Sequence, residues 1–280
     1  MGERGDMSAA RERFAALAAA PDERINVAEA ALFIAQEEYP RLEIGAYLAR
    51  FEELADAARL DVHCDMSPAE QVARLNHFLF VVQRFTGNND DYYNPRNSFL
   101  NEVLDRHTGI PITLSVVYSE VAQRLGLPVY GVSFPGHFLA KYAGTPEILI
   151  DPFFGRVISA AECAERLRSI YGKDAQLDRR LLRPASPREI LVRMLSNLKQ
   201  VYIEHADHVR ALSCIDRILL LVPDLPRELR DRGILYQRLE CFAAALRDLE
   251  RYLQLAPNDE SAPLIRETLP ELQRQAARLQ

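Results

Sequence analysis

Two residues with acid-base side chains, His137 and Asp151, lie one short predicted hairpin apart in the chain. A carboxylate that hydrogen-bonds to an imidazole can make it a general base, acting on a water molecule or on a bound partner. The simpler interpretation is a buried hydrogen bond with a structural role. Covalent catalysis would also need a nucleophile, a hydroxyl or thiol within hydrogen-bond reach of the imidazole.

Three short runs of β-branched and aromatic residues predict the strands that hold this pair. The runs cover 129–134, 137–142 and 147–150, and Pro-Gly and Gly-Thr-Pro turns separate them. We therefore expect three antiparallel strands, with His137 at the start of the second and Asp151 directly after the third.

Helices are predicted on both sides of these strands. Apolar residues recur at helical spacing over about 7–85, and Ser67-Pro68-Ala69-Glu70 forms a capping box within this region. Asn26 to Glu29 is a weaker start signal of the same kind. A short helix over 97–107 is predicted to end at Thr108-Gly109, and a second one, over 111–125, to stop at Gly126. The second helix is almost uncharged, which is typical of a buried helix.

The last third of the chain contains an internal repeat with a period of 34 residues. Before the repeat, a further helix start is predicted at Ser159 to Glu162. The charged stretch over 173–187 is predicted to be a linker, and it leads to a capping box over 186–189. Thirty-four residues is the length of the tetratricopeptide repeat, a helix–turn–helix unit. The repeated positions are Tyr202 and Tyr236, Ala211 and Ala245, Leu212 and Leu246, Leu219 and Leu253, Leu221 and Leu255, and Pro223 and Pro257. Only two repeats are visible, so they must also pack on the globular domain or on a helix from Ser261 onward. Their short surface would suit a peptide or a partner helix, with Tyr202 and Tyr236 as candidate binding residues.

Five short motifs resemble the transglutaminase-like superfamily. They are Asn94 to Leu100, Gly109 to Ile112, Leu125 to Pro128, Pro135 to Phe138, and Ile150 to Phe153. The chain is most similar to the bacterial SirB-like branch, which joins such a domain to C-terminal tetratricopeptide repeats, and the resemblance covers about 67–171. It implies a papain-like fold, in which His137 matches the catalytic histidine and Asp151 the acid that orients it. It also implies a regulatory role of a general kind.

The resemblance implies a nucleophile position as well, and Pro111 occupies it. The superfamily's cysteine begins the buried helix, fifteen residues before the glycine that follows that helix, which is Gly126 in this chain. A helix N-terminus and a neighbouring imidazolium there lower a thiol's pKa from about 8.5 to below about 7. Proline offers no thiol, and it has no backbone N–H to help hold an oxyanion. We therefore expect a scaffold that lacks its nucleophile.

An enzyme would need another residue to replace that cysteine. Ser115 shares the helix face of Pro111, about 6 Å further along the axis, whereas Thr113 points to the opposite side. A hydroxyl in a buried helix is more simply explained by a hydrogen bond to a carbonyl one turn earlier. Cys64 and Cys163 lie outside the matched motifs and are expected to be packed or incidental thiols. Cys214 and Cys241 lie within the repeats and are predicted to be core residues.

Polar loops offer candidate binding and metal sites. Asn94, Arg96 and Asn97 either line a cleft or form a turn in which Asn97 caps the next helix. The acidic run 88–91 lacks the spacing of a calcium loop, and 205–208 is predicted to be an exposed turn, so no metal is expected at either place. Dinucleotide and P-loop motifs are absent, so no cofactor is expected.

The composition is that of a soluble globular protein. The 280 residues are 48% hydrophobic and 26% charged, with a net charge of −6. Acidic and basic residues are interspersed, so nucleic acid is not an expected partner. The uncharged stretch 129–140 is too short and broken to span a membrane. The charged first residues differ from a signal peptide, and the scattered cysteines fit reduced thiols, so we expect a cytoplasmic protein.

These patterns predict an α+β, mostly helical protein in three parts. They are a helical segment over 1–66, a transglutaminase-like (papain-like) domain with a short antiparallel sheet over 67–180, and an all-α tetratricopeptide-type domain over 186–280. The preferred function is non-catalytic binding of a protein or peptide by the cleft or by the repeats. The alternative is a hydrolase or acyltransferase that uses His137 and Asp151 with Ser115 or a relocated cysteine. In a third interpretation the first domain is a rigid platform and the repeats do all the binding. The sequence does not predict an oligomeric state.

Overall fold

Side-chain caps start helices at the positions that the sequence predicts. Complete capping boxes join Ser67 with Glu70, Ser159 with Glu162, and Ser186 with Glu189. Asn26 also acts as a cap, since its side chain accepts a hydrogen bond from the Glu29 N–H at 3.0 Å. Each cap pairs backbone donors that a helix start leaves free, and is worth about 1 kcal/mol.

The computed structural model describes the backbone of residues 2–278 and the side chains of residues 9–278. The chain divides into two compact units, Met1–Met194 and Leu195–Gln280. The helices from the N-terminus to the unit boundary are α1 (Gly2–Ala18), α2 (Val27–Gln36), α3 (Ile44–Ala58), α4 (Pro68–Asn76), α5 (Leu100–Arg106), α6 (Pro111–Arg124), α7 (Ala160–Tyr171) and α8 (Pro187–Glu204). The boundary between the units falls inside α8. No helix among the described residues combines the length and the apolar character needed to cross a membrane.

The antiparallel sheet predicted for the first unit is confirmed, and it has four strands. They are β3 (Val129–Val132), β4 (Leu139–Tyr142), β5 (Ile148–Asp151) and β6 (Arg156–Ile158), paired in that order. Two shorter strands, β1 (Thr86–Gly87) and β2 (Thr108–Gly109), form a separate parallel pair. His137 lies just before β4, and Asp151 is the last residue of β5. Because β4 and β5 are antiparallel neighbours, the start of one meets the end of the other.

Helix α6 is the buried helix that its uncharged sequence predicts. All but three of its residues, Glu120, Gln123 and Arg124, are buried. It contacts α2, α3 and α5 as well as β3 and β4, so it lies between the helices and the sheet. Pro111 occupies its first position, where the missing N–H costs no intrahelical hydrogen bond.

The stretch predicted to be a linker is packed against the sheet instead. Leu177, Leu181 and Leu182 contact a buried cluster that includes Phe134 and Cys163. The interpretation as a linker rested on its charged residues, and it overlooked the leucines between them. These leucines gain free energy by leaving water, at about 25 cal/mol per Å² of apolar surface buried.

The second unit is a set of antiparallel helical pairs of the tetratricopeptide type, as predicted. It continues from the end of α8 through α9 (His208–Leu221), α10 (Pro226–Arg238), α11 (Phe242–Leu255) and α12 (Ala262–Arg278). Helix α10 packs on α9 and α11, and α12 covers α11, as expected for a helix beginning near Ser261. Gly233 keeps α10 close to α11, because a Cβ there would lie 2.6 Å from Leu249.

Candidate functional site

His137 and Asp151 lie side by side in the folded chain. The His137 Nε2 atom is 2.9 Å from both carboxylate oxygens of Asp151. The Asp151 side chain is fully buried, and His137 is 8% exposed. Because an ionised carboxylate only accepts hydrogen bonds, Nε2 carries the proton and Nδ1 is the basic nitrogen of the neutral ring. The two residues are thus placed for mutual hydrogen bonding, while a catalytic role stays a prediction.

Turn geometry and two further donors hold this pair in place. Gly136 has a φ of 66°, and a Cβ there would lie 2.6 Å from the Ile170 side chain, so the turn before His137 requires glycine. The Phe153 N–H donates to Asp151 Oδ1 at 3.2 Å. On the other side, Arg166 Nη2 lies 3.4 Å from Asp151 Oδ2. The buried carboxylate is therefore neutralised and hydrogen-bonded by its neighbours.

Aromatic rings on one side of His137 contact one another in a continuous group, which we call the aromatic cluster. It consists of His137, Tyr92, Tyr93, Phe153 and Phe154. Phe154 stacks on the imidazole at 6.3 Å between ring centroids, and Phe153 meets the imidazole edge-on at 6.2 Å. Tyr92 contacts Phe153 at 6.1 Å and Tyr93 at 5.3 Å. Tyr92, Tyr93 and Phe154 are 39%, 58% and 52% exposed. The imidazole therefore lies at the base of a partly exposed aromatic surface.

Tyr92, Tyr93 and Phe154, the three exposed side chains of this surface, were not among the predicted site residues. A signal for Phe154 was present, because Phe153 and Phe154 directly follow the Asp-Pro pair of Asp151. Tyr92 and Tyr93 also stand out as two aromatic residues in a polar loop. Adjacent aromatics in such places are unusual for a purely solvated loop, since each exposes a large apolar area.

The Nδ1 side of His137 has no nucleophile as a partner. Among the residues that the structure describes, the only hydrogen bonds of the imidazole go to Asp151. Ser115 Oγ is buried and has no hydrogen-bond partner in the described part of the chain, so the prediction that it bonds to a carbonyl one turn earlier is wrong. Thr113 Oγ1 is 2.8 Å from the Asn97 carbonyl oxygen, to which it donates. Pro111, at the start of α6, has no proton to give.

The cysteines are divided between the core and the surface. Cys163 is buried in α7, where burial raises the pKa of its thiol, an effect that Arg166 opposes and Asp151 reinforces. A thiol with a raised pKa stays protonated at neutral pH, so Cys163 is not an activated nucleophile. Cys214 is buried, as expected for a core residue of the repeats, but Cys241 is exposed just before α11, so the core prediction for it is wrong. Its position precedes the first helical turn, outside the packed face.

Asn97 organises the loop that carries Tyr92. It is fully buried, and its side-chain amide donates to the carbonyl oxygens of Asp91 and Tyr92 at 2.7 and 3.2 Å. Its Oδ1 accepts from Asn88 and from Arg106, each at 3.1 Å. The predicted capping role is wrong, because a 3₁₀ turn precedes the α5 helix, which begins only at Leu100.

The other predicted site residues are scattered. Asn94 caps the 3₁₀ turn by accepting from the Arg96 N–H at 3.0 Å, and the Arg96 side chain pairs with Glu102. In the second unit Tyr202 is only 6% exposed and contributes to packing, while Tyr236 is half-buried with the Arg232 guanidinium over its ring at 5.9 Å. A direct binding role for these four residues stays a prediction.

The two loops considered for metals have other structural uses. In the turn between α8 and α9, Asp207 caps α9 by accepting from the Arg210 N–H at 3.0 Å. In the acidic loop, Asn88 Oδ1 accepts from the Asp91 N–H at 2.9 Å. Within the described part of the chain, no three His, Cys, Asp or Glu side chains are grouped to hold a metal ion.

Two family models match the chain. Residues 45–196 match the transglutaminase-like superfamily, and residues 198–270 match the tetratricopeptide repeat.

Bacterial proteins of similar length are related along most of the chain. A UPF0162 protein of Xylella fastidiosa strain Temecula1 is 44% identical over 261 residues, which cover 91% of this chain and 93% of that protein. A UPF0162 protein of Pseudomonas aeruginosa is 33% identical, with coverage of 87% and 90%. Protein SirB1 of Salmonella typhimurium is 28% identical, with coverage of 77% and 81%.

Proposed function

Because the chain belongs to the transglutaminase-like superfamily, we propose that it is a non-catalytic member that binds a segment of a partner protein at the aromatic cluster. The observation that carries the proposal is the environment of His137. Its basic nitrogen has no hydroxyl or thiol partner among the described residues, while the aromatic cluster that it belongs to contains three partly exposed rings. Catalysis by this scaffold needs the missing group, and binding does not.

The chemistry of the cluster favours an apolar or aromatic side chain of the partner. Tyrosine and phenylalanine are enriched at protein interfaces, because they offer a large contact area and lose little conformational entropy. The Arg166 guanidinium lies over the Phe154 ring at 5.9 Å and also approaches Asp151. We infer that the partner inserts a ring or an aliphatic chain between Tyr92 and Phe154.

The tetratricopeptide unit would supply a second contact with the partner. Repeats of this type generally mediate protein–protein interactions through the surface that their stacked helices form. A regulatory role in the cytoplasm is part of the proposal, and the four free cysteines suit a reducing compartment.

A photo-crosslinking amino acid at position 154 tests the proposal directly. The control carries the same amino acid at Leu60, an apolar residue outside the cluster that is even more exposed than Phe154, at 78% against 52%. We expect a discrete crosslinked protein in cells at position 154 and not at position 60. The purified partner should then bind Phe154→Ala at least about thirtyfold more weakly than Leu60→Ala, since a central aromatic contact is worth about 2 kcal/mol or more. Equal binding by the two variants would refute the proposal.

Three further variants separate the alternatives. If the repeats do all the binding, Tyr236→Ala should abolish partner capture while His137→Ala and Phe154→Ala leave it intact. If the chain is a hydrolase, ester or amide substrates should turn over, and the turnover should disappear in His137→Ala and in Ser115→Ala. Turnover that depends on His137 would overturn the non-catalytic proposal.

A further inference from the structure

A separate cavity of the first unit lies along α6. Its volume is about 510 Å³, within the range of small-molecule sites. His137 and Asp151 are not among its lining residues. We call it the serine cavity and define it by Ile25, Ser115, Ser119, Tyr130, Phe138 and Ile190.

Two serine hydroxyls in its lining lack partners. Ser115 and Ser119 are 0% and 8% exposed, and neither Oγ atom has a hydrogen-bond partner among the described residues. They lie one helical turn apart and therefore on the same face of α6. A buried hydroxyl without a hydrogen bond costs free energy, so a sequence keeps such a pair at a cost in stability. A molecule inside the cavity is in position to satisfy both hydroxyls.

The charged residues of the lining are already neutralised or lie at the surface. The Arg124 guanidinium pairs with Glu120 at 2.6 Å and with Glu52 at 2.8 Å. Glu23 is exposed, where water screens its charge. The buried serine face therefore offers no counter-charge, and a charged ligand bound against it would lose its hydration without compensation.

We propose that the serine cavity binds an uncharged, polyhydroxylated small molecule of the class of sugars and cyclic polyols. A ligand hydroxyl both donates and accepts, which matches the donor and acceptor capacity of each serine. The carbon skeleton of such a ligand would contact Ile25, Phe138 and Ile190. Tyr130, which is 42% exposed, supplies an aromatic side chain to the cavity wall.

Titration of the full-length chain with named probes tests this proposal. D-Glucose and myo-inositol are the neutral probes, and gluconate and glucosamine are their charged counterparts. Binding is measured by isothermal calorimetry and by saturation-transfer NMR. We expect at least one neutral probe to bind at millimolar concentration or below, and both charged probes to bind more weakly than it does.

Serine variants connect binding to the cavity. The double variant Ser115→Ala/Ser119→Ala should bind the neutral probe about tenfold more weakly for each hydrogen bond lost. Circular dichroism should show that this variant remains folded. The matched control is Ser133→Ala, which removes an exposed serine outside the cavity. The proposal is overturned if neither neutral probe binds, if a charged probe binds more tightly, or if the double variant binds as well as the control. None of these results depends on the aromatic cluster, so they are distinguishable from failure of the proposed protein binding.

Discussion

Removal of the Asp151 carboxylate should destabilise the first unit strongly. The carboxylate is fully buried and accepts hydrogen bonds from His137 Nε2 and the Phe153 N–H, at 2.9 and 3.2 Å. Asp151→Ala leaves both donors buried without an acceptor, at about 1–3 kcal/mol each. Because the pairing between the carboxylate and His137 is lost as well, we expect the free energy of unfolding to decrease by about 3–5 kcal/mol in total. That is a large part of a typical total of about 5–15 kcal/mol.

Two companion variants isolate the interaction between the side chains. Asp151→Asn keeps one acceptor oxygen and loses the charge, so we expect a loss of only about 1–2 kcal/mol, the difference between charged and neutral hydrogen bonds. A double-mutant cycle with His137→Ala should give a coupling energy of about 1.5–3 kcal/mol, the contribution of a hydrogen bond to a charged group.

Urea unfolding of the full chain provides the free energies. The chain has no tryptophan, so far-UV circular dichroism and tyrosine fluorescence are the probes. Because the chain has two units, hydrogen exchange of the 139–151 segment should accompany them to report on the first unit alone. A coupling energy below about 0.5 kcal/mol, the lower limit for a typical hydrogen bond, would refute the reasoning. The pair would then contribute nothing specific to stability.

Three further predictions concern thiols, pH and the second unit. In the native chain iodoacetamide should modify the exposed Cys64 and Cys241 and spare Cys163, because the Cys163 thiol is buried and has a raised pKa. Mass spectrometry that finds Cys163 labelled first would instead identify an activated thiol. The Ser159 backbone N–H, together with Arg156, lowers the pKa of Glu162 from 4.5 to about 2, so its stabilisation is present above pH 4.5 and lost as the pH falls towards 2. Glu162→Gln should therefore differ most from wild type in urea midpoint above pH 4.5, and an unchanged difference at pH 2 would contradict this. Lys199→Met leaves the buried Glu228 without its partner at 2.8 Å, so the free energy of unfolding of the second unit should decrease by about 3–5 kcal/mol. Lys199→Met/Glu228→Gln should recover part of this loss, because it also removes the unpaired charge. Equal stability of the two variants would contradict the expected cost.

Local signals predicted much of this fold. The capping boxes were recognisable because a cap and its partner are only three residues apart, as with Ser67 and Glu70. The repeat was recognisable because equivalent residues such as Tyr202 and Tyr236 occupy equivalent positions on α8 and α10. The buried character of α6 followed from its lack of charge. Each of these inferences needs only residues that are close in sequence or periodic along it.

Features that depend on distant residues were not predictable in the same way. The short strand β6 has two exposed residues out of three and exists because it pairs with β5. Leu181 and Leu182 lie among arginines, and only the folded chain shows that they face the buried cluster of the sheet. The missing partner of Ser115 could not be inferred either, because a helical serine ordinarily has a carbonyl within reach.

Pro111 connects the structural and the functional conclusions. At the first position of α6 its fixed φ suits the helix and its missing N–H breaks no hydrogen bond, so local stability favours it. At the nucleophile position that the family resemblance implies for it, proline supplies neither the thiol nor the backbone N–H that acyl transfer would use. The His137–Asp151 pair does not need that nucleophile to be stable, because the hydrogen bond, the Phe153 N–H and the stacked Phe154 ring hold it. A chain with this pair and a proline at the helix start therefore keeps a partly exposed aromatic surface, and the binding that we propose for that surface requires no nucleophile.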